Sequence, residues 1–141
     1  MAKKIIKNQV PQTGKINPKA FTIEAEESKA GYPVFSFAHV CHNHCLLSEW
    51  KGKELIELLS TFKTMESVPW HEIRRHKGLN YKPIDGYSKP LPDFVSPDVT
   101  LHEVKVCKRK RFFGYRAGDV FRVIWFDREH EVCPYKKQRR V

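Results

Sequence analysis

The sequence predicts an α+β fold with the element order β-α-α-β-β-β. Two segments with helical spacing of apolar residues stand in the middle of the chain, and three strand-like segments follow them without an intervening helix. Strands joined by short turns pair antiparallel, so we expect a mainly antiparallel sheet with two helices packed on one face. A chain of 141 residues with 40% hydrophobic residues can bury one core of this size.

Composition also predicts the domain organisation. We expect a single α+β domain over residues 32–135, preceded by a basic, loosely ordered arm at 1–31 and followed by a basic tail at 136–141. The arm is rich in lysine and is interrupted by prolines and a glycine, which disfavours long regular elements. A short strand at Phe21–Ile23 is the alternative to a flexible arm.

The first half of the domain is predicted to contain one strand and both helices. Val34–Ala38 combines aromatic and small residues in strand-like alternation. Ser48 is a suitable N-cap for the first helix, whose core-facing stripe consists of Trp50, Leu55, Leu58, Leu59 and Phe62. The second helix is predicted from Ser67–Pro69, where serine can cap and proline suits the first helical position, to Gly78, a residue type that often ends helices.

The second half is predicted to be a three-stranded meander after an irregular connection. Residues Leu79–Pro97 hold four of the nine prolines, and a connection of this length in a small domain indicates a functional or mobile loop. Strands are predicted at Val99–Cys107, Arg111–Arg116 and Val120–Asp127. A tight turn at Ala117–Asp119 joins the last two.

Positive charge is concentrated at the two ends of the chain. The formal net charge is +10, and residues 108–141 carry eleven basic residues against four acidic ones. Residues 1–20 carry five lysines and no acid, whereas residues 21–107 hold ten basic and twelve acidic residues. Such clustering is typical of surfaces that bind phosphates or an acidic protein, so a nucleic acid or an acidic partner protein is the predicted ligand.

The chain is expected to be cytoplasmic and independent of membranes. No segment is apolar over the roughly 18 residues that a membrane span needs, and the N-terminal segment lacks the apolar stretch of a signal peptide. In that compartment the four cysteines, Cys41, Cys45, Cys107 and Cys133, are expected to be thiols or metal ligands instead of disulfides.

The segment HVCHNHC raises the question of a metal site. Five soft ligands crowd seven positions: His39, Cys41, His42, His44 and Cys45. Their spacing contains no Cys-x₂-Cys pair, and the other two cysteines stand alone. We therefore predict a polar loop with no metal and no cofactor, and a zinc site is the alternative.

Arginines and aromatic residues interleave along the predicted hairpin. If Arg111, Phe113 and Tyr115 share one face, that face offers both charge and stacking surface to single-stranded RNA. Phe121 and Trp125, together with the valine between them, are predicted to lie in the core. The candidate nucleic-acid-binding residues are Arg74, Arg75, Lys108, Arg109, Lys110, Tyr115 and Arg116.

RNA cleavage without a metal requires proton carriers and cations around the phosphate. The candidate proton carriers are His102, Tyr115, His130 and Tyr135, and the candidate phosphate clamps are Arg111, Arg116 and Arg122. Imidazole can accept or donate a proton near neutral pH. A cysteine–histidine dyad built from Cys133 with His130 or His102 is a further alternative. We predict catalytic roles for Arg111, His130 and Arg122.

A small basic chain with this element order, ending in GYRAGDVFRVIWFDREHEVCPY, resembles the RelE/ParE-like toxins of toxin–antitoxin systems. The resemblance is strongest over residues 99–135. The matching positions are Arg111, Gly114, Phe121, Trp125, Asp127, His130 and Pro134, and Cys133 stands where a tyrosine would be expected.

The resemblance implies a toxin of a type II toxin–antitoxin system. Such a protein would be an mRNA endoribonuclease, free or ribosome-dependent, that acts through a basic sheet surface and is neutralised by an acidic antitoxin. Two alternatives stay open: a non-enzymatic basic module that binds RNA, the ribosome or a protein, and a ParE-like toxin directed against gyrase.

Overall fold

The computed structural model describes residues 31–134, which belong to one compact unit. Within this range, five strands form one sheet and two helices accompany it, so the predicted α+β class is confirmed. The strands are β1 (Val34–Ser36), β2 (Lys82–Pro83), β3 (His102–Cys107), β4 (Lys110–Ala117) and β5 (Val120–Asp127). The helices are α1 (Gly52–Glu66) and α2 (Trp70–Ile73), and a 3₁₀ turn at Leu47–Glu49 precedes α1. The arm, the possible strand at Phe21–Ile23, Tyr135 and the basic tail lie outside the described residues.

The sheet has the strand order β1-β5-β4-β3-β2. The three long strands follow one another as an antiparallel meander, and β1 adds to β5 in parallel. The short strand β2 pairs antiparallel with β3 and was not predicted, because its two residues lie in the proline-rich segment. Proline is tolerated there because β2 is an edge strand.

One face of the sheet packs against both helices. We call this side of the sheet the helical face. The core between it and the helices consists of Trp50, Leu58, Met65, Trp70, Ile73, Leu79, Tyr81, Val104, Phe112, Phe121, Val123 and Phe126. The predicted stripe of α1 was partly wrong: Leu55 is 38% and Leu59 54% exposed, whereas Thr61 and Met65 are buried. The buried side of α1 is therefore rotated away from the predicted one.

The start of α1 also differs from the prediction. Ser48 lies in the 3₁₀ turn instead of capping the helix, and Trp50 is extended between that turn and α1. The indole of Trp50 donates a hydrogen bond to the carbonyl of Phe126 (3.2 Å), which holds the chain in this position. Glu54 then accepts a hydrogen bond from the backbone N–H of Lys51 (2.9 Å) at the start of the helix.

Helix α2 is shorter than predicted and ends at Ile73 instead of reaching Gly78. Turns follow because Leu79, which is 2% exposed, enters the core. Its carbonyl accepts a hydrogen bond from Lys105 of β3 (2.8 Å). A helix continuing to Gly78 could not bring this residue beside the sheet.

A β-bulge at Ile124 changes which face of the sheet the following side chains of β5 occupy. Phe113 pairs with Trp125 and Gly114 pairs with Val123, so Ile124 has no cross-strand partner in β4. Val123 therefore packs on the helical face, whereas Trp125 packs on the opposite face. The predicted burial of Trp125 is confirmed. The bulge determines on which face of the sheet it is buried.

The second face of the sheet is covered by two loops and the end of the chain. Its core contains Cys41, Cys45, Val95, Leu101, Phe113, Ile124, Trp125 and Val132. The loop of residues 37–46 runs along β5, where Cys41 donates a backbone hydrogen bond to Ile124 (2.8 Å) and Phe126 donates one to Cys45 (2.9 Å). The strand predicted at Val99–Cys107 begins at His102, because the covering loop continues to Leu101.

Candidate active-site cleft

A cleft of ≈ 680 Å³ opens on the second face, between β3, the start of the proline-rich loop and the end of the described chain. Its charged and polar lining consists of Lys82, Asp85, Tyr87, Ser88, Glu103, Arg111, His130 and Cys133. Two of the three predicted catalytic residues, Arg111 and His130, therefore line one cavity, although 19 positions separate them in the sequence.

Arg111 and Glu103 form a buried ion pair at the floor of the cleft. The Arg111 Nε lies 3.3 Å from a carboxylate oxygen of Glu103, and the two side chains are 9% and 6% exposed. Lys82 of β2 places its Nζ 3.8 Å from the same oxygen. Arg111 also donates hydrogen bonds from Nη1 to the carbonyls of Lys108 (2.5 Å) and Lys110 (3.0 Å). Each buried charge therefore has an opposite partner that compensates for the loss of water.

Asp127 holds the segment that follows β5 in a turn beside the cleft. Its carboxylate is 1% exposed and accepts hydrogen bonds from the backbone N–H groups of Glu131 and Val132, both at 2.8 Å. The resulting turn holds His130 with φ at +63°, a left-handed conformation that is uncommon for a residue other than glycine. Asp127 thus positions His130 at the cleft.

The same turn is attached to the proline-rich loop. Ser88 donates its backbone N–H to Val132 (2.8 Å) and its hydroxyl to Glu131 (2.5 Å), and Lys89 lies 3.4 Å from the Glu131 carboxylate. The thiol of Cys133 donates to the carbonyl of Gly86 (3.0 Å). These contacts tether the loop predicted to be functional or mobile.

Within residues 31–134, the other candidate phosphate clamps and proton carriers do not line the cleft. Arg116 is on the helical face, with its guanidinium carbon 4.2 Å from the centre of the Trp70 ring. Arg122 lies beside Ser36 of β1, with Nη1 3.5 Å from its hydroxyl. The structure does not bring the three arginines together around one phosphate. Strand alternation places Arg116 on the opposite face from Arg111, and Arg122 pairs across from Tyr115, four residues along β4 from Arg111.

His102 does not reach the cleft either. Its ring stacks on Tyr81 on the helical face, with centroids 4.4 Å apart. Burial lowers the pKa of His102 and raises the pKa of Tyr81 to about 12. The proposed dyad of Cys133 with His102 is excluded because the two side chains belong to opposite sides of the sheet.

Arg111, Phe113 and Tyr115 do share one face of β4, but that face is not an open basic surface. Phe113 is fully buried by the covering loops. Tyr115 remains half-buried, with its hydroxyl 2.7 Å from the Nδ1 of His39. The expectation of a broad stacking surface on the sheet is therefore wrong, and access to this face is restricted to openings between the loops.

The predicted basic residues between β3 and β4 surround a second cavity of ≈ 620 Å³. Its lining consists of Lys108, Arg109, Lys110, Arg128 and Glu54. Arg128 forms two hydrogen bonds with the Glu54 carboxylate (2.7 and 2.8 Å), and these bonds lower the pKa of Glu54 to about 2. Arg109 pairs with Glu129 (2.7 Å), so part of this basic cluster is neutralised internally. Arg74 and Arg75 are exposed just after α2.

The HVCHNHC segment lies in a loop, as the sequence predicts. Within residues 31–134, no group of three or more histidine, cysteine or acidic side chains is arranged to hold a metal ion. Cys41 and Cys45 fill the second core instead. Burial, reinforced by Asp127, raises the pKa of Cys45 to about 12, so its thiol stays protonated and donates to the Asp127 carboxylate (3.8 Å).

Sequence reasoning missed Lys82 and Glu103, which form ion pairs at the floor of the cleft. The acids in the middle of the chain were assigned mainly to helix surfaces, and Lys82 lies in the segment predicted to be irregular. Glu103 sits diagonally across from Arg111 on neighbouring strands. The only sequence signal was an acid of opposite charge inside the predicted strand Val99–Cys107, and its partner could be identified only once the register was known.

Comparison with family models, with curated proteins and with solved structures finds no match for this chain. The fold and the cleft therefore identify the chain only as a mixed α+β protein with a charged, partly enclosed site. Across the residues that the structure describes, no helix is both long and apolar enough to cross a membrane.

Proposed function

We propose that the chain is a metal-independent endoribonuclease whose active site is the cleft of Arg111 and His130. The observation that carries this proposal is the presence of a carboxylate, a guanidinium, an ammonium and an imidazole in one cavity: Glu103, Arg111, Lys82 and His130. Cleavage of RNA by its own 2′-hydroxyl needs a proton acceptor, a proton donor and cations, and this set supplies all three.

In the proposed reaction the 2′-oxygen attacks the adjacent phosphorus and the bond to the 5′-oxygen breaks. The products are a 2′,3′-cyclic phosphate and a free 5′-hydroxyl. Glu103 accepts the proton of the 2′-hydroxyl, and His130 in its protonated form donates a proton to the leaving 5′-oxygen. Arg111 and Lys82 stabilise the negative charge that develops on the phosphoryl oxygens. The cleft would admit the phosphate beside the Glu103–Arg111 pair.

This assignment is consistent with the resemblance to RelE-like toxins. We propose that the chain is the toxin of a type II toxin–antitoxin system, acting in the cytoplasm on mRNA, free or on the ribosome. The chain's net charge of +10 would favour neutralisation by an acidic antitoxin, because opposite charges steer association.

Replacing His130 tests the proposed chemistry. Asparagine tolerates the left-handed backbone of position 130, so His130→Asn should keep the turn while removing the proton donor. We expect cleavage of single-stranded RNA by the purified protein to fall by at least about 100-fold. The product ends should be a 2′,3′-cyclic phosphate and a 5′-hydroxyl. His71→Asn, at an exposed histidine of α2, is the matched control and should retain full activity.

The same pair of variants separates the enzyme from a non-enzymatic binding module. If induced wild-type and His130→Asn proteins arrest growth equally and neither breaks RNA, the endoribonuclease assignment is wrong. That result would favour a module that binds RNA, the ribosome or a protein. Inhibition of gyrase supercoiling by the wild-type protein would instead support the ParE-like alternative.

A further inference from the structure

A third cavity, separate from the catalytic cleft, lies between the HVCHNHC loop and the proline-rich loop. It measures ≈ 370 Å³, which lies within the range of small-ligand sites. Its polar lining consists of His42, Asn43, His44 and Asp93, and Phe94 and Leu91 contribute apolar surface. The proposed reaction uses none of these residues.

Phe94 is held exposed at the rim of this cavity. It is 58% exposed, whereas the next residue, Val95, is 4% exposed and belongs to the second core. A turn in which the Val95 N–H donates to the Pro92 carbonyl (3.0 Å) fixes the local backbone. An exposed phenylalanine on an anchored turn presents a ring face without a large entropic cost of ordering.

Phe94 begins a row of three aromatic rings that continues onto the sheet. The ring of His39 lies 5.3 Å from Phe94 and 6.0 Å from Tyr115, nearly parallel to the latter at 22°. The hydrogen bond between His39 and the Tyr115 hydroxyl fixes this arrangement. Beside it, Arg122 is the cross-strand partner of Tyr115.

We propose that this cavity binds an unpaired nucleobase of single-stranded RNA, with the base stacked on Phe94. Aromatic rings and polar side chains that can pair with base edges are the usual recognition groups for unpaired RNA bases. The carboxylate of Asp93 can accept a hydrogen bond from an exocyclic amino group. The site should therefore prefer cytosine or adenine to uracil.

This inference rests on the proposed function, because it supplies the specificity site for the same substrate. Tyr115 and Arg111 lie on one face of β4, four residues apart, a separation of roughly 13 Å along the strand. Because Phe113 lies buried between these two residues, an RNA strand that joins Phe94 to the cleft would run over the covering loops and span several nucleotides. The aromatic row would select the position of the cut.

Binding of 2′-O-methyl oligonucleotides tests the inference independently of cleavage, because these probes lack the attacking hydroxyl. We expect Phe94→Ala to weaken binding of a short cytidine oligomer roughly tenfold, measured by fluorescence anisotropy at one salt concentration. Binding of an abasic oligomer of equal length should not change. Phe37→Ala, at another exposed phenylalanine (52%), is the matched control and should leave both affinities unchanged.

An equal loss for the abasic oligomer, or no loss with Phe94→Ala, would overturn the stacking site. Asp93→Asn should abolish the preference for cytidine over uridine oligomers, and wild-type protein that shows no such preference would overturn the role of Asp93. These outcomes are distinct from failure of the proposed function. If the protein binds these oligomers as described but never cuts RNA, the nucleobase site stands and the endoribonuclease assignment is wrong.

Discussion

Glu103 and Arg111 form a buried ion pair across two neighbouring strands, with 3.3 Å between the carboxylate oxygen and the guanidinium Nε. The pair joins the cleft to the β3–β4 turn, because Arg111 also donates to the carbonyls of Lys108 and Lys110. Its burial means that either residue has a structural role in addition to any chemical one. Experiments on the cleft therefore need a measure of stability beside activity.

Removal of one partner of this pair should be more damaging than removal of both. Arg111→Ala leaves the Glu103 carboxylate buried with only the more distant Lys82, and we expect a loss of about 3 kcal/mol in the free energy of unfolding. The double variant Arg111→Met with Glu103→Leu should lose less, because no uncompensated charge remains. Urea unfolding of both proteins provides the measurement. A double variant less stable than Arg111→Ala would contradict the ion-pair account.

Gly114 is expected to be intolerant of any side chain. A Cβ at this position would lie 2.1 Å from the carbonyl oxygen of Arg122 and 2.8 Å from the ring of Phe121, beside the bulge in β5. Gly114→Ala should therefore reduce the free energy of unfolding by more than about 2 kcal/mol. Gly52→Ala is the matched control, because a Cβ there meets nothing within 4 Å. It should leave stability unchanged or raise it by up to roughly 1 kcal/mol.

His102 should make the protein less stable as the pH falls below 6.5. Burial lowers the pKa of His102 from its ordinary value of 6.5, so the unfolded chain binds the proton more readily than the folded one. The contribution of neutral His102 to the free energy of unfolding is therefore complete above pH 6.5. It declines as the pH falls from 6.5 toward the lowered pKa of His102 in the folded protein. His102→Phe preserves a ring against Tyr81 and should reduce this decline. Unfolding free energies measured between pH 7.5 and pH 5 would contradict the prediction if the two slopes coincide.

The ion pair of Glu54 and Arg128 should stabilise the fold near neutral pH and lose this effect in acid. Hydrogen bonds from Arg128 and from the Lys51 N–H lower the pKa of Glu54 from 4.5 to about 2. The stabilisation is therefore present above pH 4.5 and is lost as the pH falls from 4.5 to about 2.

Arg128→Met should raise the pKa of Glu54 part of the way back, because the Lys51 N–H still donates to it. Titration of the Glu54 carboxyl carbon by NMR provides the measurement. Lys89→Met, which removes an ion pair with Glu131 elsewhere, is the control and should not move the Glu54 titration. An unchanged Glu54 pKa in Arg128→Met would show that the Arg128 contact has no electrostatic role.

The candidate site could be predicted only in part from the sequence. Arg111 and His130 were identified by residue type and position, and the structure brings both to one cleft. Arg116 and Arg122 were grouped with them because they are near in sequence, but strand alternation separates Arg116 from Arg111. Glu103 was missed because its role depends on the register between β3 and β4, and a single strand contains no information about its partner.

The α+β class, the three long strands and the concentration of positive charge could be predicted from the sequence alone. These features follow from local alternation of apolar residues and from simple counting, neither of which requires knowledge of distant contacts. Tertiary structure alone decided which face each side chain occupies after the bulge at Ile124. It also decided that two loops close the second face over Phe113. Both outcomes depend on packing and hydrogen bonds between segments far apart in the chain, as with Cys45 against Phe126, and such pairings have no local sequence pattern.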